Sequence, residues 1–329
     1  MLTTDLAWAP LRVTDAAEYA ALLTAVELVD DMHENYSTED VEEELGDPSR
    51  DLSRDTWAVR DDGRLIAAGG VIGSSAVWEV HNVHVFGAVH PQWRRRGIGT
   101  QLLAAQLERA AALHAERHPS VPGQLSVGVA DHVEGGVALV RAAGLEPTRV
   151  FHEMQRDLRI EAPEPTDPAA PLRVVDWDPA RDDEVRRAHN LAFRDHWGST
   201  ERDAAAWKQW FTGSRNFHGE LSRLVLDDTD RLQAYLLGYF YDADEAATGL
   251  RDAYIGQIGT LPGARGKGAG TALLTHALTA YRALGYHTSS LGVDTENVTR
   301  ALGLYERVGF GQTRSSTAWT RTVPARPAG

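Results

Sequence analysis

Apolar positions along the chain recur with two periods, one of two residues and one of three to four. The switches between them predict strands alternating with helices. In the second half a short strand at 172–175 precedes helical stretches at 184–193 and 204–211. Strands at 221–226 and 232–241 follow, joined across the turn Asp227-Asp228-Thr229-Asp230. A strand over 253–261 then leads into a helix with Leu273, Leu274, Ala277, Leu278 and Tyr281 on one face. A strand at 289–293, a helix over 298–308 and a last strand at 313–322 complete the half. The first half shows matching strands at 57–60, 64–73 and 78–89, then a helix over 97–114. Strand–helix–strand stretches mixed with hairpins predict an α/β (α+β mixed) fold in which a central mixed sheet is flanked by helices.

The pattern occurs twice. "APLRV" at 9–13 returns at 170–174, and "RRRGIG" at 94–99 returns as "RGKGAG" at 265–270, an offset of 265 − 94 = 171. "ALVRAAGLE" at 138–146 corresponds to a stretch containing "LYERVGF", with Gly144 matching Gly309 at 309 − 144 = 165. Landmarks in one order at similar offsets mark two copies of one domain rather than a short-period repeat. Between them lies "EAPEPTDPAAP", rich in proline and acid and without apolar periodicity. The expected organisation is therefore a domain over 1–160, a linker over 161–171 and a second domain over 172–329, which suits 329 residues.

Composition narrows the chemistry. Cysteine is absent, which removes disulfides, thiolate zinc sites and cysteine nucleophiles and fits a reducing, cytoplasmic setting. A formal net charge of −14 argues against a nucleic-acid partner. The first residues lack the pattern of a signal peptide, and no apolar run reaches the roughly 20 residues of a membrane span. Two of the 33 basic residues are lysines, Lys208 and Lys267, and Lys267 lies inside the second glycine loop.

That loop follows a strand and opens a helix. Glycines let backbone N–H groups approach an anion closely, the helix start adds unsatisfied N–H groups, and Arg265 and Lys267 add charge. It is not a P-loop, since Gly268 follows the lysine, and it is not a dinucleotide fingerprint, since Thr271 stands where the third glycine belongs. One copy could be an ordinary strand–helix turn. Two copies in the same context point to a ligand.

Arg265-x-x-Gly268-x-Gly270 and Arg94-x-x-Gly97-x-Gly99, each between a strand and a helix, resemble the acyl-CoA pyrophosphate motif of the GNAT superfamily of N-acyltransferases. "LGVDTENVTRALGLYERVGF" at 291–310 resembles that family's later signature, and the tandem layout is similar to mycothiol synthase and related two-domain actinobacterial acetyltransferases. The resemblance implies a sheet whose fourth and fifth strands splay apart around acetyl-CoA. It places the pantetheine arm along Ile258, Gly259 and Thr260, and Asn297 near that arm. The pyrophosphate would sit on Arg265, Gly266, Lys267, Gly268, Ala269, Gly270 and Thr271. In the first half the corresponding residues are Val89, Arg94, Arg95, Arg96, Gly97, Ile98, Gly99 and Thr100.

The halves differ where acid catalysis would occur. Acyl transfer to an amine needs a neutral amine, a polarised carbonyl and a proton donor for the departing thiolate. Tyr305 occupies the position where the family carries its tyrosine acid; its first-half counterpart, 165 residues earlier, is Val140, which has no proton to give. Asp252, at the start of the fourth strand, is the candidate general base, with Asp294 as the alternative. His81 and His84 are three apart on a strand and face opposite ways, while His114 and His118 read as surface residues near a helix end, so no metal site is expected. Phe193, His196 and Trp197 fall where the family's substrate-facing helix lies and would line a pocket or cap a core.

The expected function is acetyl transfer from acetyl-CoA to a primary amine of a small molecule, performed by the second domain, with the first expected to be non-catalytic by the criterion of Val140. A non-catalytic acyl-CoA-binding or sensing module is the alternative. The sequence leaves the acceptor and the oligomeric state open.

Overall fold

The computed structural model describes residues 6–160, 163–194, 196–296 and 301–326, and in them the predicted alternation is realised in both halves. The first half runs β1 (Ala7–Ala9), α1 (Ala16–Asp30), α2 (Thr38–Leu45), α3 (Leu52–Asp55), β2 (Thr56–Asp61), β3 (Arg64–Gly73) and β4 (His81–Val89). It continues with α4 (Ile98–Arg117), β5 (Gly123–Ala130), α5 (Glu134–Ala142) and β6 (Glu146–Asp157). The second half runs β7 (Arg173–Asp176), α6 (Asp182–Ala192), α7 (Ala204–Trp207), β8 (Phe217–Leu226), β9 (Leu232–Tyr239) and α8 (Asp242–Thr248). Then come β10 (Asp252–Thr260), α9 (Ala269–Ala283), β11 (Thr288–Asp294), α10 (Ala301–Arg307) and β12 (Gly311–Val323). The strand read at 78–89 begins at His81, and of the helix read over 298–308 the described part is α10. No helix among the described residues is long and apolar enough to cross a membrane.

The chain forms two compact units, and they do not coincide with its two halves. One contains residues up to Arg149 together with 316–329; the other is Val150–Ser315. The last strand of each half has joined the sheet built mainly by the other half. In the first unit, Ser316–Val323 of β12 pairs antiparallel with β5. In the second, Phe151–Asp157 of β6 pairs antiparallel with β11. The expected division at 161–171 misses this exchange, because an alternating strand declares which face it buries but not which strand it pairs with. The proline-rich segment is without helix or strand over its described residues, yet it is held to α9 and to the loop before it. Thr279 Oγ1 donates to the Pro163 carbonyl, and the Ala169 N–H donates to the Lys267 carbonyl at 2.9 Å.

Within each unit helices cover both faces of the sheet. In β9, Ala234 and Leu236 pack with α9 and α10, while Tyr235 and Leu237 pack with α6 and α7, so a nearly continuous apolar strand divides its side chains between two cores. In the first unit α1 and α2 form one core with Leu65 and Ala68 of β3, and α4 and α5 form another with Val71, Val83 and Leu125. His114 corrects the reading of a surface residue: it is 2% exposed, with its Nδ1 3.0 Å from that of His81. Gly123 permits this, since a Cβ there would stand 2.7 Å from the His114 ring.

Candidate active site

In the second unit β10 and β11 are parallel partners only at Asp252–Tyr254 against Thr288–Ser290. Beyond that point β10 stays with β9 as far as Thr260, and β11 stays with β6 as far as Asp294. The strands therefore fork, leaving an opening in the sheet. The first unit has a similar fork, where β4 and β5 pair from His81↔Gly123 to His84↔Ser126 and then part. The forks differ in one respect. β10 carries a bulge between Ile255 and Gln257, whereas β4 runs in unbroken register with β3. The extra residue, Gly256, is displaced from the ladder. It sits against an aromatic ring, since a Cβ there would come within 2.5 Å of Tyr239.

Each fork is followed by its glycine loop. Gly268 precedes α9 with φ 81°, and Gly97 precedes α4 with φ 83°, a left-handed turn at a helix start with no side-chain cap. At the second position of the motif the second unit has Gly266 at φ 75°, while the first has Arg95 at φ 62°, a conformation disfavoured for a residue with a side chain. The arginines are tethered alike by the strand before them: Arg94 Nε donates to the Val89 carbonyl at 3.0 Å and Arg265 Nε to the Thr260 carbonyl at 3.4 Å. Their charges are used differently. Arg94 forms a two-pronged ion pair with Asp30 at 2.6 and 2.7 Å. Arg265 and Lys267 are exposed, and among the described residues neither has a carboxylate partner. The first loop has its own internal anion. The second presents its cations to whatever arrives.

Tyr305 lies on α10 in the core that contains Ile255, Leu291 and Ala269, 5% exposed, its ring 6.2 Å from that of Phe310. Burial pushes its hydroxyl above the ordinary phenol range, which keeps it protonated at neutral pH. Val140, its counterpart in α5, is buried in an apolar cluster. Asn297 lies outside the described residues.

Asp252 is placed on the paired side of the fork. Its carboxylate accepts hydrogen bonds from Thr288 Oγ1 at 2.6 Å and from Ser290 Oγ, both on β11. Hydroxyl donors on both oxygens tie the two strands together just before they part. Asp294 accepts from the Glu296 N–H at 2.9 Å in the turn that ends β11. Phe193 stacks on the buried His189 at 4.5 Å, and the Trp197 ring lies 6.1 Å from Phe151 of β6. His196 sits 4.5 Å from Phe193, so this segment caps a core as well as facing the sheet.

The sequence reading passed over Glu153. Its strand, "EPTRVFHEMQRD", belongs to the first half, and only the exchange carries it beside β11, opposite Gly292. A Cβ placed on Gly292 would stand 3.3 Å from Glu153 Oε1 and 3.6 Å from the Tyr254 hydroxyl. The glycine in "LGVD" is the sole sequence signal for this space.

Comparison with known proteins bears on the family and the fold. The acetyltransferase (GNAT) family model matches residues 183–310, and an acetyltransferase (GNAT) domain model matches 53–130. A mycothiol acetyltransferase of Rhodococcus erythropolis is 30% identical, over 71% of this chain and 75% of that one. The mycothiol acetyltransferase of Stackebrandtia nassauensis is 32% identical, over 71% of each. Among solved structures, a GCN5-related N-acetyltransferase from Sphaerobacter thermophilus superposes with TM-score 0.76 at 22% identity, covering 99% of this chain and 98% of its own. A tandem GNAT protein from the clavulanic acid biosynthesis pathway gives TM-score 0.71 at 20% identity, covering 99% and 100%.

Proposed function

This chain belongs to the GNAT acetyltransferase family, with two such domains in tandem, and from that premise we propose that it moves an acetyl group from acetyl-CoA to a primary amine of a small molecule, using the second unit. The observation that carries the assignment is Tyr305, a buried phenol beside the β10–β11 fork, where the first unit has Val140. Arg265, Lys267 and the N–H groups around Gly268 and Ala269 would bind the pyrophosphate, and the backbone of Ile258, Gly259 and Thr260 would hold the pantetheine arm. A donor threaded through the fork is accessible from both faces of the sheet. The bulge at Gly256 supplies backbone groups outside the ladder that can polarise the thioester carbonyl. Tyr305 then protonates the departing thiolate. Burial keeps the phenol protonated at neutral pH, so it is available to donate as negative charge develops on the sulfur.

The first unit serves chiefly as scaffold, and donor binding at Arg94, Arg96 and Gly97 would have to displace the Asp30 carboxylate. The mycothiol acetyltransferases named above make a small-molecule acceptor the natural choice, and the cytoplasm, where acetyl-CoA is made, its setting.

Two readouts test this reading. Acetyl-CoA should raise the melting temperature, because a ligand that binds only the folded state stabilises it by RT ln(1 + [L]/Kd), about 2.7 kcal/mol at a hundredfold excess over Kd. CoA release should also accelerate with at least one member of a panel of small primary amines. Stabilisation without release for any amine would leave a binding module. No stabilisation at millimolar acetyl-CoA would remove the donor assignment altogether.

A further inference from the structure

We propose that Glu153, carried by the exchanged strand β6 into the second unit's sheet, is a catalytic residue that accepts the proton of the acceptor amine. The proposal rests on the reading that the second unit performs the transfer. Position along the strands decides among the carboxylates on this face. β11 rises about 3.3 Å per residue. The fork opens after Ser290, and Glu153 lies opposite Gly292, only two residues further, or about 7 Å. Asp294 is four residues beyond the fork, about 13 Å, and its Oδ1 already caps a turn. Asp252 lies before the fork, with both oxygens taken by β11 hydroxyls. Glu153 is the carboxylate level with the opening.

The space beside it is built by the absence of a side chain. Gly292 is exposed, and Glu153 Oε1 and the Tyr254 hydroxyl flank the point its Cβ would occupy. An ammonium entering there meets a carboxylate on one side and a phenol oxygen on the other, both suited to accept its hydrogens. This face is opposite the one that holds Tyr305, since Tyr254 packs with the α6 and α7 core while Tyr305 packs with α9 and α10. Base and acid would thus reach a threaded thioester from opposite faces of the sheet.

The step balances without another reactant. The ammonium gives one proton to the Glu153 carboxylate, and the neutral nitrogen forms a bond to the thioester carbon. The carbon–sulfur bond breaks, its electron pair leaves on sulfur, and sulfur takes the Tyr305 proton. The second proton lost by nitrogen returns to Tyr305 through solvent, and Glu153 releases its own. The sum is R–NH3⁺ plus acetyl-CoA giving the N-acetyl amide, CoA thiol and H⁺.

The test measures CoA release by the wild type, Glu153→Gln and Tyr305→Phe between pH 6 and 9, using the amine turned over best in the panel. Glu153→Gln should lose on the order of 10²-fold in kcat/KM near pH 7. The deficit should shrink as the pH approaches the amine's own pKa, where solution supplies neutral amine and the base is dispensable. A residue that merely holds the fold would give a loss independent of pH. Acetyl-CoA affinity, by calorimetry, should stay within about 2-fold. Gly292→Val provides a second variant: it fills the space at an exposed position and should block amine turnover while leaving acetyl-CoA affinity intact. A Glu153→Gln enzyme that turns over like wild type, a pH-independent deficit, or full turnover by Gly292→Val each overturns the proposal. Impaired Tyr305→Phe beside unimpaired Glu153→Gln removes only the Glu153 assignment. Full activity in both removes the assignment of chemistry to the second unit as well.

Discussion

Tyr305→Phe should lower kcat by 10²- to 10⁴-fold while leaving acetyl-CoA affinity nearly unchanged. The substitution keeps the ring that packs against Phe310 and removes one oxygen, so the core around α10 stays filled. The hydroxyl makes no hydrogen bond among the described residues, and its removal therefore strands no buried partner. What is lost is the proton for the departing thiolate, an interaction needed only as the carbon–sulfur bond breaks, so the effect belongs in kcat. The loss corresponds to about 2.7–5.4 kcal/mol of barrier. Steady-state CoA release and calorimetry on the same preparation separate the two quantities. Wild-type turnover would assign the acid elsewhere. The reciprocal change is less informative, because Val140 is 1% exposed and a tyrosine there would overpack its core.

The second large effect concerns folding. A fragment beginning at residue 163 contains the second half in full, yet it should fail to fold, because the second unit's sheet includes β6. Its removal strips from β11 the partner that pairs with it over seven positions, Phe151 to Asp157. It also removes Met154 and Leu158, 1% and 0% exposed, from the core that holds Tyr305. Emptying two such sites costs about 2–5 kcal/mol each. The sum, about 4–10 kcal/mol, is comparable with the whole stability of a typical domain, about 5–15 kcal/mol. A fragment beginning at residue 150 and ending at 315 retains the strand and should fold measurably better. Circular dichroism melts of the two fragments decide the matter, and a cooperative melt of the 163–329 fragment at the temperature of the full chain would contradict the exchange.

Much of the local structure around the two glycine loops could be read from the residues. "RGKGAG" and "RRRGIG" declare strand-to-helix turns through their glycines, and the structure places Gly97 and Gly268 in the left-handed region at those helix starts. The apolar spacing of Leu273, Leu274, Ala277, Leu278 and Tyr281 places α9, whose inward face they form. What escaped were relations between distant segments. Asp30 and Arg94 are 64 residues apart, and nothing local to either announces their ion pair. The bulge at Gly256 is one inserted residue in a strand that reads as continuous. Glu153 sits in an alternating strand whose pattern fits either sheet, so its partner follows from topology rather than periodicity. His114 and His118, near the end of α4, looked like a solvated helix terminus, and the former is buried only because Gly123 leaves room for its ring. The helices α1 and α2 were passed over although Ala16, Tyr19, Ala20, Leu22 and Val26 bury one face at helical spacing.

Reversing or removing the charges of each loop tests most directly which unit uses the donor. Steady-state CoA release with a working amine would be compared between Arg265→Glu with Lys267→Glu and Arg94→Ala with Arg96→Ala. Arg265 and Lys267 are exposed, so their reversal leaves the core untouched, whereas any side chain at Gly268, with φ 81°, would also strain the backbone. Two repelled phosphate contacts should raise the KM for acetyl-CoA by more than tenfold in the Arg265/Lys267 variant. The Arg94/Arg96 variant should keep most of the wild-type turnover. The reverse result, with the second-loop variant active and the first-loop variant dead, would contradict the assignment of acetyl transfer to the second unit.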